Sequence, residues 1–458
     1  MKRLGILTAG GDTPALNATI HGAVVRANQV QVELIGLIKG FNSLFNPRVP
    51  HVHLNPLFQA IPELDPTMGG TLLAASRDYL DPDEKDVIRQ VCDRLHRLGI
   101  EGLICVGGDG TMNAMQPIAE CLPVILAPKT IDNDLGLNYP GEPAEFERTS
   151  DNSGRVKYGR NCAPRAELQL DQMVNYVTPG YATAVFVSAT GIQRVRTTAE
   201  SHRRIAIVEV MGRHSGFIAL GSAYGQPDMI LIPESPINLD RIVERVRQLY
   251  ELQKHVVIVC GEGIVDEKGR ELGAEKESTD PSGNKLLGGA AEALRRQLAS
   301  RMGDQYFRDF RRGSTATDVI FTRKIGHIQR GGRPVLFDRV HAAGLGAKAV
   351  DLLLAGRSNE VSTLQWSHAK GFFLDACPGD DFRDRWGLIH ARQVHPCFYD
   401  AKNMKPSAAG IEYLMNIFNH AIGHDDVDSM RSTFDSGHLY QPYHSVNVDV
   451  GRRIQYLE

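Results

Sequence analysis

Short apolar runs that stop at glycine or at a polar cluster recur along the chain. Examples are LGILTAGG at 4–11, ELIGLIKG at 33–40, GLICVGGDG at 102–110, LPVILA at 122–127, RIAIVEVMG at 204–212, MILIPE at 229–234, HVVIVCGEG at 255–263 and DVIFTRKIG at 318–326. Their length and near-continuous hydrophobicity are those of strands buried on both faces. Between them lie stretches whose apolar residues recur at three and four, such as KDVIRQVCDRLHRLG at 85–99 and LDRIVERVRQLYELQK at 239–254. That spacing belongs to amphipathic helices. The alternation predicts parallel sheets joined by crossover helices, an α/β, doubly wound fold.

Four sections break the alternation. Residues 136–172 are polar and rich in turn formers, which predicts a long excursion from the surface; 266–285 reads as an exposed loop for the same reason. Residues 41–66 carry five prolines in mixed polarity, and the tail after about residue 360 holds both tryptophans and no clear period. A chain of 458 residues exceeds one ordinary core, so two or three lobes are expected.

Composition narrows the class. Hydrophobic residues make up 42% and charged residues 23%, as in globular proteins, and the formal charge is -3, so no global field favours nucleic acid or an anionic membrane. Any anionic ligand must be held locally. The seven cysteines include no C-x-x-C pair, and the expectation is reduced thiols in a cytoplasmic, unanchored protein. No run approaches the ~18 apolar residues of a membrane span, and the N-terminus lacks a signal-peptide core.

The polar clusters at the strand ends carry the chemistry. Two glycine-rich turns, GGDTPALNATI at 10–20 and GGDGTMNAM at 107–115, each follow an apolar run. Glycine lets backbone N–H groups approach an anion, and the following helix adds its positive end. Taken singly, each is equally an ordinary strand-to-helix turn capped by Asp12 or Asp109. Together with PKTIDNDL at 128–135 they place Asp109, Asp132 and Asp134 beyond strand ends, where hard oxygens suit Mg²⁺. Arg77, Lys129, Arg204, Arg213 and Arg330 recur at comparable places, a set of cations for several phosphates. Phosphoryl transfer needs alignment, a metal, cations and a base, and Asp132, between Thr130 and Asp134, is the candidate base.

These motifs, with VEVMGR at 208–213, PE at 233–234 and HIQRGGRPVLFDR at 327–339, resemble those of the phosphofructokinases, in the same order over roughly residues 4 to 356. The resemblance implies two Rossmann-like lobes and phosphoryl transfer to the 1-hydroxyl of fructose 6-phosphate. It divides the chain into a donor-phosphate lobe at 1–180, a sugar-phosphate lobe at 181–327, and a return to the first lobe with a C-terminal extension at 328–458. Asp132 corresponds to the proton acceptor, supported by Thr130, Lys129 and Arg213. Gly11, Arg77, Asp78, Gly108, Asp109, Gly110 and Thr111 fall on the donor side, with Mg²⁺ at Asp109 and Asp134. Thr130, Ile131, Asp132, Met211, Gly212, Arg213, Glu234, His327 and Arg330 fall on the sugar-phosphate side. Arg204 matches an arginine that in family tetramers reaches the neighbouring subunit's sugar phosphate, so a homo-oligomer, dimer or tetramer, and allosteric control are implied. Phe321 stands where the family often has an arginine, and Arg323 is the nearest candidate for that role. Ala15 stands where a glycine is usual.

Two positions bear on the donor, ATP or pyrophosphate. Pyrophosphate enzymes of this family typically have aspartate where Gly110 stands and lysine where Lys129 stands, so this chain is mixed. Glycine at 110 leaves space for the α-phosphate of ATP, whereas the lysine favours either donor's phosphates. The expectation is ATP, with pyrophosphate as the alternative. A non-catalytic sugar-phosphate-binding regulatory subunit is a further alternative, disfavoured because Asp109, Asp132 and Asp134 are all present.

Overall fold

The computed structural model describes residues 1–150, 156–161, 163–273, 288–310, 313–439, 441 and 443–458. Two parallel sheets dominate it. The first contains β1 (Arg3–Thr8), β2 (Glu33–Leu37), β3 (His51–His53), β4 (Leu103–Gly107) and β5 (Val124–Pro128). A hairpin apart from both sheets follows, β6 (Phe146–Ser150) and β7 (Val156–Arg160). The second sheet contains β8 (Ile205–Val210), β9 (Met229–Leu231), β10 (Val256–Gly261) and β11 (Ile320–Lys324). Two late strands, β12 (Glu360–Ser367) and β13 (Gly371–Pro378), return to the first sheet, whose order is β13-β12-β5-β4-β1-β2-β3. The second has the order β11-β8-β10-β9 and is parallel throughout; in the first, only the edge strands β3 and β13 pair antiparallel.

The α-helices among the described residues are α1 (Leu16–Gln29), α2 (Phe41–Phe45), α3 (Lys85–Arg97), α4 (Asp109–Met115), α5 (Tyr181–His202), α6 (Phe217–Gly221), α7 (Leu239–Gln253), α8 (Ala290–Arg308), α9 (Ala316–Val319), α10 (Leu336–Leu354), α11 (Ala408–Phe418), α12 (His424–Ser432) and α13 (Val446–Arg453). α3 and α7 bury Ile88, Val91 and Leu95, and Ile242, Val243, Val246 and Leu249, the apolar stripes read from the sequence. The result is an α/β fold of two Rossmann-like lobes.

Several expectations are corrected. Residues 136–172 are not a surface excursion throughout: Leu137, Asn138, Tyr139, Glu142 and Pro143 are buried, while the hairpin β6–β7 and much of 163–172 are exposed. The segment packs back because Leu137 exchanges backbone hydrogen bonds with Val174. Of the loop at 266–285, residues 274–285 lie outside the described residues. The tail after 360 is not irregular; its first strand, β12, is largely buried, which erases a period of two. The cysteines are not all reduced, since Cys92 on α3 and Cys121 before β5 form a disulfide, their Cα atoms 6.2 Å apart where that helix covers the sheet.

Candidate active site

β1, β4 and β5 are neighbours in the first sheet, so their C-terminal ends deliver three loops side by side. β1 yields Gly10–Asp12, β4 yields Gly108–Thr111 at the start of α4, and β5 yields Lys129–Asp134. Opposite them, β8 ends at Met211–Arg213, and α10 is preceded by the turn carrying Arg330. A cavity of about 400 Å³ lies between the lobes, lined by Gly10, Gly11, Arg77, Asp78, Gly108, Asp109, Gly110, Thr111, Lys129, Thr130, Asp132, Asp134, Arg213 and Arg330. These candidate residues, 318 positions apart at the extremes of one contact, are thus brought together.

Two cations form its anion-holding wall. Arg330 donates to the carbonyl of Asp12 at 3.3 Å, and a Cβ on Gly11 would stand 2.5 Å from its Nη1, so a side chain there would make the guanidinium shift. Buried Lys129 donates from Nζ to the Gly11 carbonyl. Desolvation, and then Arg330, lower the Lys129 ammonium to about 8, against the pull of Asp12, Asp132 and Asp134. A dianionic phosphoryl group seated between the two would restore the charge balance.

The acids occupy the opposite wall. Asp132 is buried, its N–H donates to Thr130 Oγ1 at 3.0 Å, and its Oδ1 has no hydrogen-bond partner among the described residues. Desolvation raises its carboxyl, while Arg330 and Arg213 work against the shift. Asp134 is pushed up to about 7 by desolvation and by the charges of Asp132 and Asp109. Asp109 is exposed and accepts the Gly110 N–H at 2.8 Å. Like charges so arranged favour either a proton or a cation. Among the described residues no three His, Cys, Asp or Glu converge at ligating distance. Mg²⁺ is commonly held by one or two carboxylates with phosphate oxygens and water, so Asp109 and Asp134 fit that role.

Gly110 is exposed, and a Cβ built on it meets nothing within 4 Å. The space beside it belongs to the cavity.

The remaining candidates lie off the cavity wall. Ile131 is wholly buried in the core beneath the loop, and Met211 is buried, its N–H bonded to Gln329 Oε1 at 3.0 Å. Gly212 adopts φ +133° at the turn that presents Arg213. Glu234 is buried behind that turn: Oε1 accepts N–H groups from Gly216 at 2.8 Å and Val394 at 2.7 Å, and Oε2 has no partner among the described residues. Desolvation pushes it up to about 7. His327 is exposed. Arg204 and Arg323 both stack over the Phe321 ring, at 5.9 and 5.1 Å from its centroid. The aromatic ring therefore holds two guanidinium groups where the family often has one.

Sequence reasoning missed several residues. Phe41, Tyr79 and Asn113 also line the cavity. Tyr79, half exposed, is adjacent to Arg77 and Asp78, and an aromatic beside a charged pair after a turn was a usable signal. Glu262, raised to about 7 by desolvation and by Asp132, accepts the Arg213 N–H at 3.2 Å. Buried Arg392, from the tail, bonds the loop at 133–134.

Comparison with known proteins agrees with this geometry. Residues 3–138 and 170–353 match the sequence model of the family described as Phosphofructokinase. An ATP-dependent 6-phosphofructokinase of Natranaerobius thermophilus is 31% identical over 79% of this chain and 89% of its own length. A pyrophosphate--fructose 6-phosphate 1-phosphotransferase of Dictyoglomus thermophilum is 33% identical over 78% of this chain and 87% of its own. The crystal structure of a pyrophosphate-dependent phosphofructokinase from Nitrosospira multiformis shares the fold, with a TM-score of 0.69 at 14% identity over 92% of both chains. The fold and the family match define a phosphotransferase of the α/β class. The chain belongs to the phosphofructokinase family, whose relatives here include enzymes of both donors.

Proposed function

We propose that the protein transfers a phosphoryl group from ATP to the 1-hydroxyl of fructose 6-phosphate, giving fructose 1,6-bisphosphate, as a cytoplasmic homo-oligomer. The observation that carries this reading is the open space at Gly110 beside two buried acids and two cations. A nucleotide's α-phosphate needs that space, and the half-exposed Tyr79 ring offers a stacking face for a base. Lys129 and Arg330 hold the oxygens of the moving phosphoryl group. Asp132 Oδ1, buried and unpartnered, accepts the proton of the 1-hydroxyl as its oxygen bonds to phosphorus and the bond to the leaving oxygen breaks. Its raised carboxyl makes it a stronger base than an exposed aspartate. When bound at Asp109 and Asp134, Mg²⁺ neutralises charge on the donor phosphates. In this reading Glu234, whose Oε2 has no partner among the described residues, takes a sugar hydroxyl, with Met211, Gly212 and His327 on the same side. Arg204 and Arg323, held on Phe321, serve a sugar phosphate shared with a neighbouring copy.

Pyrophosphate as donor is supported by one observation: Lys129 bonds the Gly11 loop next to Arg330, a pair that equally suits a departing phosphate. Initial rates with fructose 6-phosphate, Mg²⁺ and either donor separate the two, for wild type and Gly110→Asp. A Cβ added at position 110 meets no protein atom within 4 Å, so the substitution starts from open cavity space. The expected outcome is turnover with ATP that Gly110→Asp reduces by about 100-fold, through bulk and like charge at the α-phosphate. Turnover with pyrophosphate alone in the wild type would overturn ATP as donor.

A further inference from the structure

We propose that Arg392 and Tyr413, in the C-terminal extension, are positioning residues that hold the loop bearing Asp132 and Asp134 in its productive shape. The inference rests on the phosphotransfer reading above, in which those two acids act. Both positioning residues lie beyond the residues that match the family, which end at 353.

Asn133 separates the two acids and sits in the left-handed region at φ +57°. The acids on either side of it both line the cavity while its own side chain turns into the core, and a non-glycine residue holds that conformation only when its surroundings compel it. The tail does so through every polar group of Asn133 beyond its own N–H. Arg392 Nε and Nη2 donate to the Asn133 carbonyl at 3.1 and 2.9 Å, and Nη2 donates to Asn133 Oδ1 at 2.7 Å. Tyr413 Oη accepts from Asn133 Nδ2 at 2.7 Å and donates to the Tyr176 carbonyl at 3.1 Å. The backbone joins in, since the Arg392 N–H donates to the Asp134 carbonyl at 2.7 Å. Two residues further on, the Val394 N–H orients Glu234 at 2.7 Å. One short tail segment therefore touches the acid loop and the buried glutamate of the facing lobe.

The guanidinium is only 2% exposed, yet among the described residues it forms no ion pair with a carboxylate; its donors go to oxygens of Asn133 and Asn175. Burying a cation on neutral acceptors is unfavourable unless its geometry or field serves something nearby. The groups nearby are the acids of the loop. A lysine would keep the charge but could not make the planar fork across the Asn133 carbonyl and side chain.

The segment is itself braced by the hairpin β6–β7, the other part of the chain outside the family match. The His390 ring stacks on Phe146 with centroids 3.6 Å apart, His390 Nε2 meets buried Asp384 at 2.8 Å, and Tyr158 packs edge-on to Trp386. Insertion and tail thus form one buttress behind the acid loop.

The test compares wild type with Arg392→Lys, Arg392→Met and Tyr413→Phe, all full length, by steady-state rates and urea unfolding. Wild-type turnover with ATP and with pyrophosphate is measured first, beside Asp132→Asn. Absence of turnover with both donors would defeat the phosphotransfer reading, and this proposal with it. Given turnover, Arg392→Lys is expected to unfold cooperatively, to keep the donor KM within about twofold and to lose about tenfold in kcat, and Arg392→Met about 100-fold. The double variant of Arg392→Lys and Tyr413→Phe should lose less than the product of the singles, because both act through Asn133. A purely structural role predicts kcat falling only with the folded fraction. That result, or kcat within about twofold of wild type in folded Arg392→Lys and Tyr413→Phe, overturns the positioning role and leaves the phosphotransfer reading standing.

Discussion

Glu234 shows how a single buried acid ties stability to pH. Its carboxyl ordinarily titrates at 4.5 and is pushed up to about 7 by desolvation, with the Gly216 and Val394 N–H groups opposing the shift. Below 4.5 folded and unfolded chains both carry the proton, and this group's contribution is fully present. Above it the unfolded carboxyl ionises first, so the contribution is lost as pH rises through about 7. Glu234→Gln keeps an acceptor for both N–H groups and cannot ionise. Urea midpoints at pH 5 and pH 8 should therefore fall less in the variant than in the wild type, and equal slopes would refute the buried, protonated state. At this scale the glycine turns and their acids were legible, because strand, turn and helix follow one another locally. Arg392 was not: its bonds reach Asn133 across 259 positions, and a lone arginine in an aperiodic stretch carries no local signal. Glu234 was singled out in the sequence, but the N–H that Val394 donates to it comes from 160 positions away.

Between elements, the tightest approach is that of α1 and α10. A Cβ on Gly22 would collide with the Ala343 carbonyl oxygen, and one on Gly346 with the Thr19 carbonyl oxygen. Reciprocal glycines let two helices meet backbone to backbone, and α1 is the helix that follows the Gly10–Gly11 turn. Gly346→Ala forces the axes apart, because the obstacle is main chain and not a side chain that can rotate away. We expect a loss of about 3 kcal/mol, the upper range for overpacking, measured by urea denaturation. An unchanged midpoint would mean the helices slide freely. The alternation of runs predicted most strands, since strands buried on both faces advertise themselves as apolar runs. It missed β3 and β12 within the stretches read as breaks, β13, whose residues are mostly half-buried or exposed, and the hairpin β6–β7, whose polar strands pair only with each other.

Across the whole molecule, the C-terminal extension is structural as well as local to the site. β12 pairs with β5, the strand that leads into Lys129, so the first sheet does not end where the family match ends. One core cluster joins Leu364, Trp366, Phe398 and Tyr413 from the extension to Tyr181, Ala206, Val208 and Phe217 of the second lobe and Ile131 of the acid loop. The Ile230 N–H beside the second sheet donates to the Met404 carbonyl, and Tyr399 Oη donates to the Ile230 carbonyl at 2.6 Å. The extension thus touches both lobes and covers the side of β5 that would otherwise be an open edge. A chain ending at residue 358 would uncover that edge, remove four large side chains from the shared core and strip Arg392 from the acid loop. Each buried aromatic or leucine lost costs about 3 kcal/mol or more, so four together are comparable with the whole ~5–15 kcal/mol net stability of a typical domain. The truncated chain should aggregate on expression or show no cooperative transition by circular dichroism. A soluble fragment unfolding at the full-length midpoint would show instead that the two lobes are sufficient alone, and that the extension acts only at the site.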